Sequence, residues 1–323
     1  MLEFATGKIS VLEKRLLDRN DLERMLKAPD YKNAFLVLYD TDLDEVIDEK
    51  KETERWLEED LVVLKNNLWM MLKDECPELF QFLFLRFDAL NLKIILKKSS
   101  ENNFALASIE PFEKLKDFVE RKIKSSLEKL FFEEKMNLTV KKMTENSLFR
   151  LDKIREKKID DIEQIVEEEY FKRRILLAKP YPFLREAIKF EIDLINLKKA
   201  LRKKEKEKLI PGGNLTTEEI FKIVNLKEEE LASKSHLFGE ILSLYFLVNK
   251  IKKLKDEKLI ESAIDNFFSS YIFERERIEN SGMPKVVACF IRKINAQKNI
   301  RLILWAKKYQ IPISEIEPKL LLI

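Results

Sequence analysis

The sequence predicts an all-α protein made of three similar helical repeats, and three observations carry that prediction. Glycine and proline supply only 5 and 9 of 323 residues. That is well below the usual share of about 12% and too few for the turns and phosphate loops of barrels, sandwiches and dinucleotide-binding folds. Apolar residues recur in steps of three and four almost throughout, as in Trp56, Leu57, Leu61, Leu64, Leu68, Met71 and Leu72, and no useful length alternates as a strand does. The tripeptide Asn-[Leu/Ile]-[Lys/Arg] occurs at Asn91, Asn196, Asn225 and Asn299, and three copies continue with Leu96, Leu201 and Leu304.

Each of those three asparagines follows a proline at nearly constant distance: Pro77, Pro182 and Pro284. A proline in the first turn pre-sets the helical φ, so each marks a helix start. Before each proline lies another long helical stretch, at about 42–75, 159–179 and 255–279. The unit is therefore two long helices joined by a proline-marked turn. The remaining punctuation agrees. Pro29, Pro111 and Pro312 read as isolated starts or stops, and Pro211-Gly212-Gly213 is a turn followed by the capping box Thr216-Thr-Glu-Glu219. Lys203 to Lys208 reads as the solvated end of a long helix. The implied repeats are 1–108, 109–209 and 210–323, and three related bodies in one chain predict a pseudo-three-fold arrangement.

Within the motif, apolar residues one, four and five places after the asparagine form one helix face: Leu92, Ile95 and Leu96; Leu197, Ala200 and Leu201; Ile300, Ile303 and Leu304. Leu197→Asp is therefore expected to unfold its repeat. Asp88 and Asp193 stand one turn before Asn91 and Asn196, and Lys93, Lys198 and Arg301 occupy the last tripeptide position. An asparagine beside an apolar stripe must satisfy its amide, most simply on a helix end or loop carbonyl. The structural reading is a hydrogen-bond anchor repeated three times; the other is a ligand contact.

Catalytic chemistry is scarce. The single histidine, His236, cannot form a histidine metal cluster. Cys76 and Cys289 lack a CxxC context and fit a reduced intracellular chain. No phosphate-cradling glycine motif is present, and consecutive acids such as Glu167-Glu168-Glu169 diverge around a helix. No cofactor or metal is expected. The longest charge-free runs, such as Ile241 to Asn249, fall far short of the roughly 20 apolar residues of a membrane span. No signal peptide is read at Met1-Leu-Glu-Phe.

Charge is balanced overall, with 61 Lys+Arg against 58 Asp+Glu, but unevenly placed. From Asn280 to Ser314 there are bases and no acid: Lys285, Arg292, Lys293, Lys298, Arg301, Lys307 and Lys308. Asp40 to Asp60 is conversely rich in acids. One reading makes these helix faces compensated by neighbours. The other makes them partner-facing surfaces of opposite sign, so that charge reversal at Arg292 and Lys293 spares folding and weakens assembly. The aromatics of the basic stretch, Phe290, Trp305 and Tyr309, form no nucleic-acid platform, and no nucleic-acid partner is expected.

Several motifs in order resemble one family. Phe4-Ala-Thr-Gly-Lys-Ile9 with Leu16-Leu17, the helices FDALNLKIILK and EIDLINLKKALR, the turn Ile210-Pro-Gly-Gly-Asn-Leu and the stretch Gly282-Met-Pro284 through Leu304 are similar to those of the C-type subunits of archaeal and bacterial V/A-type rotary ATPases. Their counterparts in vacuolar ATPases are the d-type subunits. The chain departs from the pattern at Ala296, where the family often carries an acid, at Trp305-Ala306, and at Lys8 and Ser10. The resemblance implies a funnel of three helical domains with no active site of its own. It implies one copy per complex, on the cytoplasmic face of the cell membrane, between the rotor ring (c/K/L-type subunits) and central shaft subunits D and F. Its role there is to couple ion-driven rotation to ATP synthesis, or ATP hydrolysis to ion pumping. The alternative is a helical scaffold or nucleic-acid-binding module that kept the fold with different partners.

Overall fold

The computed structural model describes residues 2–48, 51–97, 105, 107–124, 136–154, 158–202, 209–225, 239–253, 257–279 and 282–323. Among the described residues there are fourteen α-helices and no strand. In chain order they are α1 (Glu3–Leu12), α2 (Arg19–Lys27), α3 (Tyr31–Leu36), α4 (Thr53–Leu72), α5 (Pro77–Lys97), α6 (Phe112–Lys124), α7 (Leu138–Asp152), α8 (Ile159–Ala178), α9 (Pro182–Leu201), α10 (Thr217–Asn225), α11 (Gly239–Lys252), α12 (Glu257–Glu279), α13 (Gly282–Lys308) and α14 (Ile313–Ile316).

Local chemistry explains where they begin. Pro77 and Pro182 are the first residues of α5 and α9, and Pro284 sits in the first turn of α13. Asp18 and Asp30 cap α2 and α3 by accepting backbone N–H bonds three residues on, at 2.9 and 2.8 Å. The box at Thr216 closes in both directions: the Thr216 N–H donates to the Glu219 carboxylate (2.8 Å), and the Glu219 N–H donates to Thr216 Oγ1 (3.3 Å). The helix expected from residue 42 starts only at Thr53. Thr41 Oγ1 instead accepts the Leu43 N–H at 3.3 Å, and Asp42–Glu45 form a single 3-10 turn.

The chain groups into two compact units, Glu54–Ile188 and Met1–Thr53 with Lys189–Ile323. This division differs from the sequence repeats: it falls inside α9, and it returns the first 53 residues to the last third of the chain.

In the 54–188 unit, α5 packs on α8 and α6, and α7 packs on α8. Its core includes Leu85, Ala89, Leu92, Leu115, Val140, Met143 and Val166. The stripe read on α4, from Trp56 to Leu72, is buried throughout. Each such side chain contributes about 1.5–3 kcal/mol.

In the other unit, α9, α10, α11 and α12 share a core of Phe190, Leu194, Leu197, Ala200, Ile220, Ile223, Leu244, Val248 and Ile264. Helix α13 is its hub, touching α1, α2, α3, α12 and α14. Most of α13 is buried, from Val286 and Cys289 through Ile294 and Ile300 to Ala306, while Lys298, Trp305 and Lys308 are exposed.

Candidate functional site

The three repeated asparagines do one job. Asn91 is fully buried; its Nδ2 donates to Ala105 O (3.0 Å) and its Oδ1 accepts the Ala105 N–H (2.7 Å). Asn196 treats Ile210 the same way, with both bonds at 2.8 Å. Asn299 holds Leu321, again with both bonds at 2.8 Å. Each side-chain amide thus replaces the strand partner that one backbone residue would otherwise lack. The anchor reading is the one this geometry supports. The fourth copy, Asn225, is exposed at the end of α10 and has Glu230, not leucine, five places on.

Asp88 and Asp193 add a second grip in the first two copies. Asp88 accepts the Ile109 and Glu110 N–H groups (2.8 and 2.9 Å), and Asp193 accepts those of Asn214 and Leu215 (3.0 and 3.1 Å). Both copies capture backbone at the same distances along the chain, 14 residues from the asparagine and 21 and 22 from the aspartate. The aspartates' backbone partners were not foreseen from the sequence; in the second copy the Pro211-Gly212-Gly213 turn just before Asn214 was the available signal.

The turn itself needs glycine. Gly212 has φ 103°, and a Cβ on Gly213 would lie 2.1 Å from Asp193 Oδ1. In the third copy Ala296 stands where the aspartate would be, so no carboxylate grip is made.

Burial is the main influence on both acids. It pushes Asp88 up to about 7, with nearby Glu110 adding to the rise, while the two N–H donors and Lys65 oppose it. Burial likewise pushes Asp193 up to about 6 against its own two N–H donors. Lys65, whose Nζ donates to Ser108 O, is lowered by burial.

Among the third motif residues, Lys198 Nζ and Arg202 both meet Glu261, at 2.8 and 3.2 Å; Lys93 and Arg301 are half-buried. Pro77, Pro182 and Pro284 act as helix starts, not as contacts.

Much of the basic stretch is paired within the chain, the arrangement expected of a helix face compensated by its neighbours. Lys285 and Arg292 both reach Glu13 (3.2 and 2.9 Å), and Arg292 also holds Glu276 (3.1 Å). Lys293, only 3% exposed, pairs with Asp42, and Lys298 pairs with Asp265 at 2.7 Å. Lys307 donates to Leu26 O (2.7 Å) and to Ala28 O, closing the carbonyl end of α2. Lys298 and Lys308 are exposed, Lys308 beside the Tyr309 ring. The counterions are Glu13 at the end of α1, Asp42 in the turn after α3, and Asp265 and Glu276 on α12. Acids of the acidic stretch are spent likewise: Asp40 on Arg24, Asp44 and Glu45 on Arg15. Charge reversal at Lys293 is therefore no neutral change; it would bury two carboxylates together.

Cys289 is buried, and burial pushes its thiol up to about 12, far from thiolate chemistry. Cys76 is also buried. His236 lies outside the described residues. Among the described residues no group of His, Cys, Asp and Glu is placed to hold a metal ion, and no helix is long and apolar enough to cross a membrane.

Against known protein families, residues 5–319 match the family described as ATP synthase (C/AC39) subunit. The chain belongs to this family. No curated protein matches it significantly. The C/AC39 assignment agrees with the family resemblance carried by the motifs, and it makes this all-α chain a member of a family of V/A-type ATP synthase subunits. The asparagine clasps and the inward basic helix are thus features of how a C/AC39 chain holds its own backbone.

Proposed function

We propose that this C/AC39 chain is the non-catalytic coupling element between the membrane rotor ring and the central shaft of its ATPase. It would transmit torque from the ring to shaft subunits D and F, at one copy per complex, peripherally on the cytoplasmic face of the membrane. The observation that carries this reading is the family match over residues 5–319.

The clasps support a mechanical role. A part that passes torque needs loops that do not give, and buried asparagine and aspartate side chains pin Ala105, Ile210 and Leu321 and their neighbours by the backbone. Asn91, Asn196, Asn299, Asp88 and Asp193 are committed to holding the chain together. We extend the proposal to geometry: the three repeats 1–108, 109–209 and 210–323 are related by an approximate three-fold axis and form a funnel around the shaft.

The test is purification of the tagged chain from its own membranes in mild detergent. Ring and shaft subunits are expected to copurify, and ATPase activity is expected only where the catalytic head is present. Recovery without any other ATPase component would overturn the proposal. An electron cryomicroscopy map of the complex placing α5, α9 and α13 in unrelated positions would overturn the three-fold geometry alone.

A further inference from the structure

Helix α13 keeps one outer stripe. Lys298, then Arg301 and Leu302, then Trp305, then Lys308 and Tyr309 succeed one another at helical spacing and share a face. Burial along the stripe falls toward its end: Arg301 and Leu302 are half-buried, whereas Trp305 is 52% and Tyr309 58% exposed. The two ring centroids lie 5.3 Å apart, and Lys308 Nζ is 5.8 Å from that of Tyr309. A single exposed apolar residue is ordinary, but two adjoining aromatic rings form a patch.

Charge on this end of the helix is one-sided. No acid occurs between residues 280 and 314. Lys298 is answered from α12 by Asp265, and Lys307, beside the stripe, caps α2 and faces Asp30. Lys308 has no carboxylate partner among the described residues. Lys27 adds a second exposed cation here, because it stands between the Leu26 and Ala28 carbonyls that Lys307 closes; Glu23 approaches it to 3.4 Å.

Tryptophan and tyrosine combine an apolar ring with one polar tip, and lysine an apolar stem with a charged head. Together they suit a boundary where hydrocarbon gives way to water. A protein partner would need a pocket shaped to both rings, whereas a fluid lipid surface moulds to them. Anionic headgroups supply the charge that Lys308 and Lys27 lack.

We infer that the C-terminal end of α13 docks on an anionic lipid surface, with Trp305 and Tyr309 entering the headgroup layer and Lys308 and Lys27 facing its negative charge. The inference concerns this chain and lipid alone and does not depend on the rotor role.

The test uses the full chain carrying Trp69→Phe, which leaves Trp305 as its one exposed tryptophan, since Trp56 is 1% exposed. It is mixed at low salt with vesicles of phosphatidylcholine, either pure or with an equal part of phosphatidylglycerol. With the mixed vesicles the fluorescence should shift to shorter wavelength and the chain should sediment. Binding should be at least about fivefold weaker to pure phosphatidylcholine, and weaker again in high salt. By sedimentation, Trp305→Ala/Tyr309→Ala should lose at least about tenfold and Lys308→Ala about fivefold. Phe149→Ala removes an equally exposed ring elsewhere and should bind as the parent does. Several results would overturn the inference: no binding to mixed vesicles, equal binding to both kinds, or equal loss from the Phe149 and Trp305/Tyr309 changes. Binding to soluble polyglutamate but not to vesicles would also overturn it, assigning the stripe to an acidic protein instead.

Discussion

The grips at Asn91 and Asn196 can be set beside the grip at Asn299. All three present an amide to the N–H and C=O of one backbone residue, and all three place a buried apolar side chain next along the helix: Leu92, Leu197 and Ile300. The first two add a buried aspartate and hold a loop between helices. The third replaces the aspartate with Ala296 and recruits Asn266, Asn295 and Ser262 from two helices. A shared sequence motif has thus been kept for one bond pattern while the load around it is distributed in two ways. Concentrated on an asparagine and an aspartate, the grip fails when one is removed; spread over three amides and a hydroxyl, it degrades by steps.

The largest expected effect tests what the three copies share. Leu92→Asp, Leu197→Asp and Ile300→Asp each bury an unpaired carboxylate and should each cost about 4–5 kcal/mol. Urea unfolding would show it, and a copy that tolerates the change breaks the equivalence. Lys293→Glu belongs in the same range, about 3–5 kcal/mol, because Asp42 loses its partner and gains a like charge. If that variant folds normally and only loses assembly, the inward reading of the basic helix is wrong.

Next come the asparagines themselves. Asn91→Ala and Asn196→Ala strand a buried donor and acceptor and should cost about 2–4 kcal/mol, whereas Asn299→Ala should cost about 1–2 because neighbouring amides keep the segment seated. Equal losses would erase the distinction between concentrated and spread grips. Gly213→Ala should cost about 1–3 kcal/mol by forcing Asp193 aside.

The most gradual effect concerns pH. Because Asp88 sits at about 7 and Asp193 at about 6 when folded, against about 3.9 unfolded, the folded chain holds extra protons between those limits. Their contribution is fully present below about pH 4 and is lost as pH rises, through about 6 for Asp193 and about 7 for Asp88. The Asp88→Asn/Asp193→Asn chain should therefore show a flatter decline of stability from pH 4 to 7. An unchanged slope would mean the N–H donors outweigh burial.

Most of the helical architecture was legible because its signals are local. Prolines fix helix starts by covalent geometry, and the Asn motif carries its own apolar face. The environment of α13 was not legible. An acid-free stretch looks like a free basic face unless one knows that Asp42 and Glu13 return to it from 251 and 279 residues away. The aspartate grips were half visible: Asp88 and Asp193 stood out beside the motif, but their partners are backbone N–H groups, which no residue type advertises. The first long helix was misplaced at its start: Thr41 accepts the Leu43 N–H, Asp42–Glu45 close a turn, and the helix begins only at Thr53.

The closure of α2 by Lys307 has a consequence for synthesis. Helices α1 to α3 emerge first, yet Glu13, Asp42 and the carbonyl end of α2 meet their cations only on α13. At about 5–20 residues per second, that wait is on the order of 15–50 s. During it the opening fifty residues hold acidic side chains and an uncapped helix end without their lysines, while residues 54–188 already have all the chain of their own unit. Translation order and folding order therefore run oppositely at the two ends of this protein: what is made first is finished last.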